Sequence, residues 1–327
     1  MPEISGLILR SFRGESDFAG MAEVLTASQQ ADGYDRQMSG EEFARGYRAL
    51  TNCDLARDIF IAEADGQMVG YIRGWWEAES AALYLYKHNA FLRPEWRRKE
   101  IGRRMLESIE GRLREVAREH PAEAKKAFQA SVSQQQAGAA ALLERAGYQA
   151  ARYFFEMVRP DLEAIPDLAL PEGVEVRPAE PEQYRMIWES ALEDSKEEWG
   201  LPAATEEAYQ AWLKDPLFQP ELWQIAWEAG TSRPVGHVLT YINQVENHQF
   251  KRRRGYTEGV GVSRAWRRQG LARALISRSL QAQKAAGMSE SALVADSENA
   301  GGVIRLYESC GFQEVKRDTV YRKEIKN

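Results

Sequence analysis

The spacing of hydrophobic residues predicts strands and helices that alternate along the whole chain. Helices with one apolar face are predicted at 17–28, from 39 onward, 101–119, 136–145, 181–196, 205–213, 270–286 and 302–309. Short apolar or alternating runs predict strands at 7–10, 59–63, 69–73, 82–92, 127–132, 148–158, 174–177, 222–227, 235–245, 256–262, 291–295 and 312–324. The early strands are joined by hairpins and the later ones are separated by helices. This order predicts an α/β protein with a mixed, largely antiparallel and twisted sheet flanked by helices.

The chain contains an internal repeat. Trp96–Arg103 recurs 170 positions later as Trp266–Arg273, and the segment Ala146-Gly147-Tyr148 recurs 164 positions later as Cys310-Gly311-Phe312. Two copies of one domain explain both matches. We predict an N-terminal domain at 1–160, a linker at 161–172 and a C-terminal domain at 173–327, which fits a length of 327 residues.

Composition narrows the class of protein. The formal net charge is −6, which gives no support to nucleic-acid binding, and the basic run 251–254 is interpreted as a solvated hairpin tip. No apolar run is long enough to span a membrane, and no secretory signal is visible. The only cysteines, Cys53 and Cys310, lie in different halves, so we expect a reducing cytoplasm. The four histidines have no metal-ligand spacing, so no metal is expected.

The stretch from Gly259 to Ala272 carries the candidate chemistry. An apolar strand end, Val260 to Val262, leads through a polar turn to Gly270 and an amphipathic helix. The first N–H groups of a helix lack intrahelical partners, and the helix dipole favours an anion there. A phosphate or pyrophosphate would suit this helix start, and Arg267, Arg268 and Arg273 would add positive charge. A solvated basic helix start is the alternative interpretation of the same residues.

The motif Arg267-x-x-Gly270-x-Ala272 after an apolar strand resembles the acyl-CoA signature of the GNAT superfamily of N-acetyltransferases. Asn299 and the segment Leu306-Tyr307-x-x-x-Gly311-Phe312 extend the resemblance in the family's order. The resemblance implies that acetyl-CoA is the cosubstrate and enters where two neighbouring strands separate. The layout, with a degenerate first copy and an active second, also resembles that of the mycothiol synthases.

The resemblance also implies roles for individual residues. Tyr307 would be the general acid that protonates the departing thiolate, and Glu258 is the best candidate for the base. The residues implied to hold acetyl-CoA are Val260, Gly261, Val262, Arg267, Arg268, Gln269, Gly270, Leu271, Ala272, Arg273 and Asn299. Tyr307 as a core aromatic, Asn299 as a helix cap and Glu258 as a solvated strand residue are the alternatives.

The first copy departs from the family's pattern at three positions. Glu100 stands opposite Gly270, Gln135 opposite Asn299, and Leu143 opposite Tyr307. A carboxylate near a pyrophosphate is repulsive, and leucine cannot donate a proton. We therefore predict a first copy that does not catalyse, although residual CoA binding there stays open.

The sequence thus predicts a cytoplasmic N-acetyltransferase, a monomer or homodimer, with one working site in the second copy. The acceptor would be a primary amine of a small molecule or peptide, with no nucleic acid or membrane partner. It would bind against the segment 194–220, whose acidic and aromatic residues Glu197, Glu198, Trp199 and Tyr209 would suit a cationic or amine acceptor, although surface helices have the same composition. The alternatives are a non-enzymatic acyl-CoA sensor, a different acyl donor, and acetylation of a small thiol-containing amine as in the mycothiol synthases.

Overall fold

The computed structural model describes residues 6–33, 40–80, 82–194, 205–296 and 302–326. The chain divides into two compact units. The first comprises Met1–Tyr153 together with Asp318–Asn327, and the second comprises Phe154–Arg317. Over the described ranges, no helix is both long enough and apolar enough to cross a bilayer.

The first unit is built on a mixed sheet. Its elements are β1 (Ile8–Ser11), α1 (Glu15–Ala31), α2 (Gly40–Arg48), α3 (Leu55–Asp58), β2 (Ile59–Ala64), β3 (Gln67–Ser80), β4 (Leu83–Leu92), α4 (Ile101–Arg118), β5 (Lys125–Ser133), α5 (Ala137–Arg145) and the start of β6 (Gln149–Arg159). Strands β1 to β4 pair antiparallel in sequence order, and β5 joins β4 in parallel. The parallel step is made possible by the crossover through α4.

The second unit repeats this plan. Its elements are β7 (Val174–Val176), α6 (Tyr184–Asp194), α7 (Glu206–Leu213), β8 (Gln224–Glu228), β9 (Pro234–Val238), α8 (Gln244–Gln249), β10 (Arg254–Tyr256), β11 (Gly261–Val262), α9 (Leu271–Ala285), β12 (Glu290–Asp296), α10 (Val303–Ser309) and the start of β13 (Gln313–Glu324). Strands β7, β8, β9 and β11 form an antiparallel sheet, and β10 pairs with β12 in parallel. The predicted mixed α/β architecture is confirmed.

Each unit has a core formed by its long helix packed on its strands. The predicted stripe of α4 is fully buried, since Ile101, Met105 and Ile109 have no exposed surface. Leu271 and Leu275 of α9 are buried in the same way in the second unit. Residues four apart lie on one face of a helix, so these stripes fix which face meets the sheet.

The two last strands have partners that the repeat boundaries did not predict. Residues 318–324 of β13, expected to complete the second copy, pair antiparallel with β5 in the first unit. Residues 154–159 of β6, expected to complete the first copy, pair antiparallel with β12 in the second unit. Tyr321 is buried, and Lys323 Nζ lies 2.8 Å from Glu110 Oε1. Alternation along a strand predicts its faces but carries no information about its neighbours.

The segment predicted as a linker contains no helix or strand, yet it is packed against the second unit. Leu162 is buried, and Arg278 of α9 donates a hydrogen bond of 2.8 Å to the carbonyl of Leu168. Arg159 donates to the carbonyls of Asp161 and Ala164 at 2.9 Å and 2.8 Å. The segment therefore belongs to the compact body of the second unit.

Two expectations around 235–254 are wrong. The strand predicted at 235–245 ends at Val238, and α8 begins at Gln244 because the side chain of Asn243 caps it, accepting from Glu246 N at 3.0 Å. The basic run is not simply a solvated tip. Arg254 forms ion pairs with Glu290 at 2.6 Å and with Glu156 at 3.1 Å.

Candidate active site

The strand that contains Glu258 separates from its neighbour at that residue. Strand β10 pairs with β12 as far as Thr257, whose N–H donates to the carbonyl of Ala292 at 2.9 Å. The next N–H of β12 that faces this strand, at Val294, donates to the Glu258 carboxylate at 3.0 Å. A side chain thus takes the place of a backbone acceptor. We call the opening between residues 258–262 and 294–296 the strand gap.

Glycine makes this separation possible. Gly259 has φ 55°, in the left-handed region that residues with a Cβ rarely adopt, so the chain bends away from β12 there. Beyond the bend, Gly261 and Val262 pair with His237 and Gly236 of β9. A Cβ at position 261 would collide with the His237 imidazole. Both glycines are therefore required by the path of the strand.

The backbone of Val262 faces away from β9. The N–H of Ser263 donates to Val235 O at 3.0 Å, which makes the Val262–Gly236 pair the non-hydrogen-bonded one of the ladder. The carbonyl of Val262 accepts instead from Arg267 Nε at 3.0 Å. By the same alternation, the backbone groups of Val260 are directed to the side opposite β9, where an extended ligand could pair with them.

The turn after this strand leads to the start of helix α9, which has no capping side chain. A short 3-10 helix (Arg264–Trp266) is followed by two left-handed residues, Arg268 with φ 63° and Gly270 with φ 85°. The first helical hydrogen bond runs from Ala274 N to Gly270 O at 3.1 Å, so the N–H groups before it precede the ladder. Gly270 is the N-cap residue of α9 and has no side chain that could cap the helix. The turn fits an anion, because these N–H groups lie at the positive end of the α9 dipole.

The basic side chains at the turn differ in their surroundings. Arg268 and Arg273 are exposed. Arg267 instead binds backbone carbonyls, those of Val262 at 3.0 Å and of Asp194 at 3.5 Å, and so ties α6 to the strand. Gln269 donates to Ala265 O at 3.0 Å. Arg267 is exposed as well, but backbone carbonyls hold its guanidinium, which makes it a structural tie of the turn. Arg273 also contacts the Cys310 thiol, and Arg268 is an exposed cation beside Gly270.

Tyr307 lies on α10 in the same apolar cluster as the predicted cofactor residues. Its side chain is 7% exposed and packs on Phe312, with ring centroids 6.1 Å apart. The cluster includes Leu271, and Val260 and Val262 pack against it. The fold therefore brings Tyr307, the strand end and the start of α9 together. Asn299 lies outside the described residues.

Two family profiles match the chain, one in each repeat. Residues 184–312 match the Acetyltransferase (GNAT) family, and residues 56–150 match an Acetyltransferase (GNAT) domain. These ranges together cover more than half of the chain. The chain belongs to the GNAT family of acetyltransferases.

Similar proteins agree with this assignment. A mycothiol acetyltransferase from Thermobispora bispora is 33% identical over 57% of this chain and 62% of its own length, so the match spans less than two thirds of that relative. A GCN5-related N-acetyltransferase from Sphaerobacter thermophilus is 27% identical, with a TM-score of 0.74 over 100% of this chain and 98% of that one. A tandem GNAT protein from the clavulanic acid biosynthesis pathway shares the fold, with a TM-score of 0.64, 16% identity and coverage of 98% and 99%.

A buried polar group beside the GNAT turn was missed by the sequence analysis. His237 Nδ1 lies 3.8 Å from Asp194 Oδ2, and Ser263 Oγ donates to the same carboxylate oxygen at 3.5 Å. Burial lowers the pKa of His237 to about 4 and raises that of Asp194. His237 between the apolar residues Val235 and Val238 of the predicted strand was the available signal. The three residues join the end of α6 to β9 and β11.

The first GNAT repeat has the same backbone conformation at the turn but different side chains. Arg98 has φ 62° and Glu100 has φ 61°, the same pattern as in the second repeat. The Glu100 carboxylate accepts from Arg103 Nε at 2.7 Å and does not cap the helix, so a carboxylate paired with an arginine stands where the second repeat has glycine. Arg97 is engaged with Asp32 at 2.6 Å.

In the first repeat, an internal hydrogen bond occupies the position next to that of Glu258. His88 pairs with Gly74, the counterpart of Thr240, and so stands at the place of Thr257; its Nε2 lies 2.9 Å from the Tyr148 hydroxyl. His88 is buried, which lowers its pKa to about 4. Leu143, at the place of Tyr307, is buried in the apolar core. In this unit these residues are bonded to a core partner or packed in the core.

Proposed function

We propose that the second repeat transfers an acetyl group from acetyl-CoA to a primary amine. The observation that carries this proposal is the strand gap followed at once by the uncapped turn at Gly270. The backbone of Val260 and Val262 would pair with the extended arm of the cosubstrate. The N–H groups from Gly270 to Arg273, with the exposed side chains of Arg268 and Arg273, would hold its pyrophosphate.

The chemistry requires a proton to leave the amine and a proton to reach the departing sulfur. We propose that the Glu258 carboxylate, held at the gap by Val294 N–H, accepts the amine proton directly or through a water. We propose that Tyr307 donates a proton to the thiolate, since a phenol has the required hydroxyl and Leu143 of the first repeat does not. We propose that a backbone N–H near Val260 or Val262 would stabilise the developing negative charge on the thioester oxygen.

Negative charge around Glu258 supports a cationic acceptor, which would be bound as its ammonium form before it loses a proton. The pKa of Tyr241 is raised by burial and by neighbouring Glu258, Tyr256 and Glu246. The expected aromatic contact at Tyr209 receives less support, because its ring is buried and the Arg185 guanidinium lies 3.9 Å from its centroid. The other expected acceptor residues, Glu197, Glu198 and Trp199, lie outside the described residues.

A specific acceptor class is favoured by the relatives. The proteins from Thermobispora bispora and Thermobifida fusca are both named mycothiol acetyltransferase. We therefore propose a small thiol-containing amine as the first acceptor to examine. A non-enzymatic acyl-CoA sensor is the alternative, and it differs in one respect that can be measured, because a sensor binds acetyl-CoA without releasing CoA.

The test measures binding and turnover separately. Calorimetry with acetyl-CoA should give one site per chain, and a panel of amines that includes cysteinyl amines should release free CoA. Tyr307→Phe and Glu258→Gln should each lower kcat by roughly 100-fold or more while acetyl-CoA still binds. Leu143→Ala is the matched control in the first repeat and should leave kcat unchanged. Binding without CoA release for every amine would favour the sensor, and Tyr307→Phe with full turnover would remove the assigned acid.

A further inference from the structure

Five polar side chains are buried together in the core of the second repeat. We call them the polar core cluster: Thr240, Thr257, Ser279, Gln283 and Ser291. Each is at most 1% exposed. Polar residues at this depth are uncommon unless they bond one another.

Thr257 is the hub of the polar core cluster. Its Oγ1 accepts from Gln283 Nε2 at 2.9 Å and lies 2.9 Å from Ser291 Oγ and 3.3 Å from Ser279 Oγ. Ser279 Oγ is also 2.6 Å from Thr240 Oγ1 and 3.1 Å from Gln283 Nε2. Helix α9 is thereby bonded directly to Thr257, and Thr257 in turn joins it to Ser291 of β12, the other strand that borders the strand gap.

The cluster ends where the strands part. Thr257 is the last residue whose backbone N–H pairs with β12, and Glu258, the next residue, replaces a backbone acceptor with its carboxylate. The orientation of the Thr257 peptide decides where the Glu258 side chain leaves the strand. Three hydrogen bonds on one hydroxyl fix that orientation more tightly than apolar contacts, since hydrogen bonds are directional and dispersion is not.

In the first repeat the helix side of this cluster is apolar. Ile109 and Leu113 occupy the positions of Ser279 and Gln283, and Gly74 takes that of Thr240. A Cβ at Gly74 would lie 2.8 Å from Ile109 Cδ1, so the three residues are fitted to one another. His88, at the position of Thr257, bonds the Tyr148 hydroxyl instead. Folding therefore does not require polar residues on the helix. Within the described residues, Gln283 Oε1 has no hydrogen-bond partner, which is a cost that apolar packing avoids.

We propose that Thr257 is a positioning residue: the polar core cluster holds it so that the Glu258 carboxylate stays at the strand gap, bonded to Val294 N–H. This inference rests on the proposed function, because it assigns a purpose to the orientation of Glu258. The cluster belongs to the repeat with the candidate site, and the repeat that lacks the site has replaced it.

The first test compares two substitutions that differ in one hydroxyl. Thr257→Val removes the hydroxyl and keeps the shape, whereas Thr257→Ser keeps the hydroxyl. We expect kcat to fall at least 10-fold in Thr257→Val, with the Kd for acetyl-CoA changed less than threefold. Thr257→Ser should retain kcat within threefold. Full turnover in Thr257→Val, or equal losses in both variants, would overturn the proposal.

A second readout does not depend on turnover. Hydrogen exchange at the Val294 amide should be at least 10-fold faster in Thr257→Val than in the wild type, and Thr257→Ser should match the wild type. Unchanged exchange in Thr257→Val would contradict the positioning role. If the wild type transfers acetyl to no amine, the proposed function fails, and the exchange result still decides whether Thr257 positions Glu258.

A third variant transplants the packing of the first repeat. Thr240→Gly/Ser279→Ile/Gln283→Leu should fold, with a Tm at or above that of the wild type, and lose kcat at least 10-fold. A stable triple variant with full turnover would show that the cluster has no part in catalysis. If the triple variant does not fold, the two single substitutions at Thr257 decide the matter.

Discussion

The two GNAT repeats share a backbone at the anion turn and differ in what surrounds it. Arg98 and Glu100 have the same left-handed conformations as Arg268 and Gly270. Neither N-cap residue caps its helix with a side chain, and only the second repeat has no carboxylate at this position. The turn therefore persists as a structural connection between strand and helix even where its side chains no longer suit an anion.

The residues next to the strand separation also differ between the two repeats in their hydrogen-bond partners. In the first repeat His88 bonds the core residue Tyr148, whereas in the second repeat Thr257, at the same place, bonds helix α9, and the next residue, Glu258, bonds a backbone N–H of the neighbouring strand. The two repeats therefore differ in their internal partners as well as in the groups proposed to react.

The largest expected effect concerns the strand that completes the first unit. Tyr321→Ala should reduce the free energy of unfolding by about 3–5 kcal/mol, because it leaves a cavity beside β5. Hydrogen exchange should quicken first in residues 101–133. Val315→Ala, in the exposed part of the same strand, is the control and should change stability by less than about 0.5 kcal/mol. A larger response in the second unit than in the first would contradict the strand assignment.

The next effect tests the difference at the turn directly. Gly270→Glu introduces the residue of the first repeat, and its carboxylate should weaken acetyl-CoA binding by about 3 kcal/mol, on the order of 100-fold in Kd. The backbone tolerates the change, since Glu100 adopts the same region. Calorimetry measures the effect. Gly270→Asn is the control, because asparagine accepts positive φ without charge. An unchanged Kd in Gly270→Glu would mean that no anion binds at this turn.

The smallest effect comes from the reverse exchange. Glu100→Gly relieves a left-handed residue and removes an exposed ion pair with Arg103, so stability should rise by about 1 kcal/mol or less. No second activity should appear, because Leu143 still lacks the hydroxyl of Tyr307. Turnover of a Glu100→Gly/Tyr307→Phe double variant should equal that of Tyr307→Phe alone. Any added turnover would show that the first repeat needs only its turn restored.

Much of the fold could be predicted because its signals are local. The stripe Ile101–Met105–Ile109 predicts α4, and the order of hairpins and helices predicts the mixed sheet. The partners of β6 and β13 could not be predicted, since pairing depends on which edges meet in three dimensions. The strand after Val238 was extended too far because Asn243 acts as a helix cap, which is a weak signal inside an apolar run.

The candidate site was predictable where its residues are contiguous. The turn from Arg267 to Ala272 follows from sequence alone, whereas the tie from Arg267 to Asp194 depends on a helix far away in the chain. The polar core cluster was overlooked although its signal is present. Ser279 and Gln283 continue the four-residue spacing of Leu271 and Leu275, so two polar residues lie on a face otherwise predicted to be buried.

The placement of β13 also determines the order in which the protein can be assembled on the ribosome. Residues 318–324 leave the ribosome after every other described strand and helix, yet they occupy one edge of β5. Throughout synthesis that edge presents unpaired N–H and C=O groups, which are prone to join the wrong strand. The nascent N-terminal unit can therefore complete its sheet only after residues 318–324 have been synthesised, and until then chaperones can bind the open edge of β5.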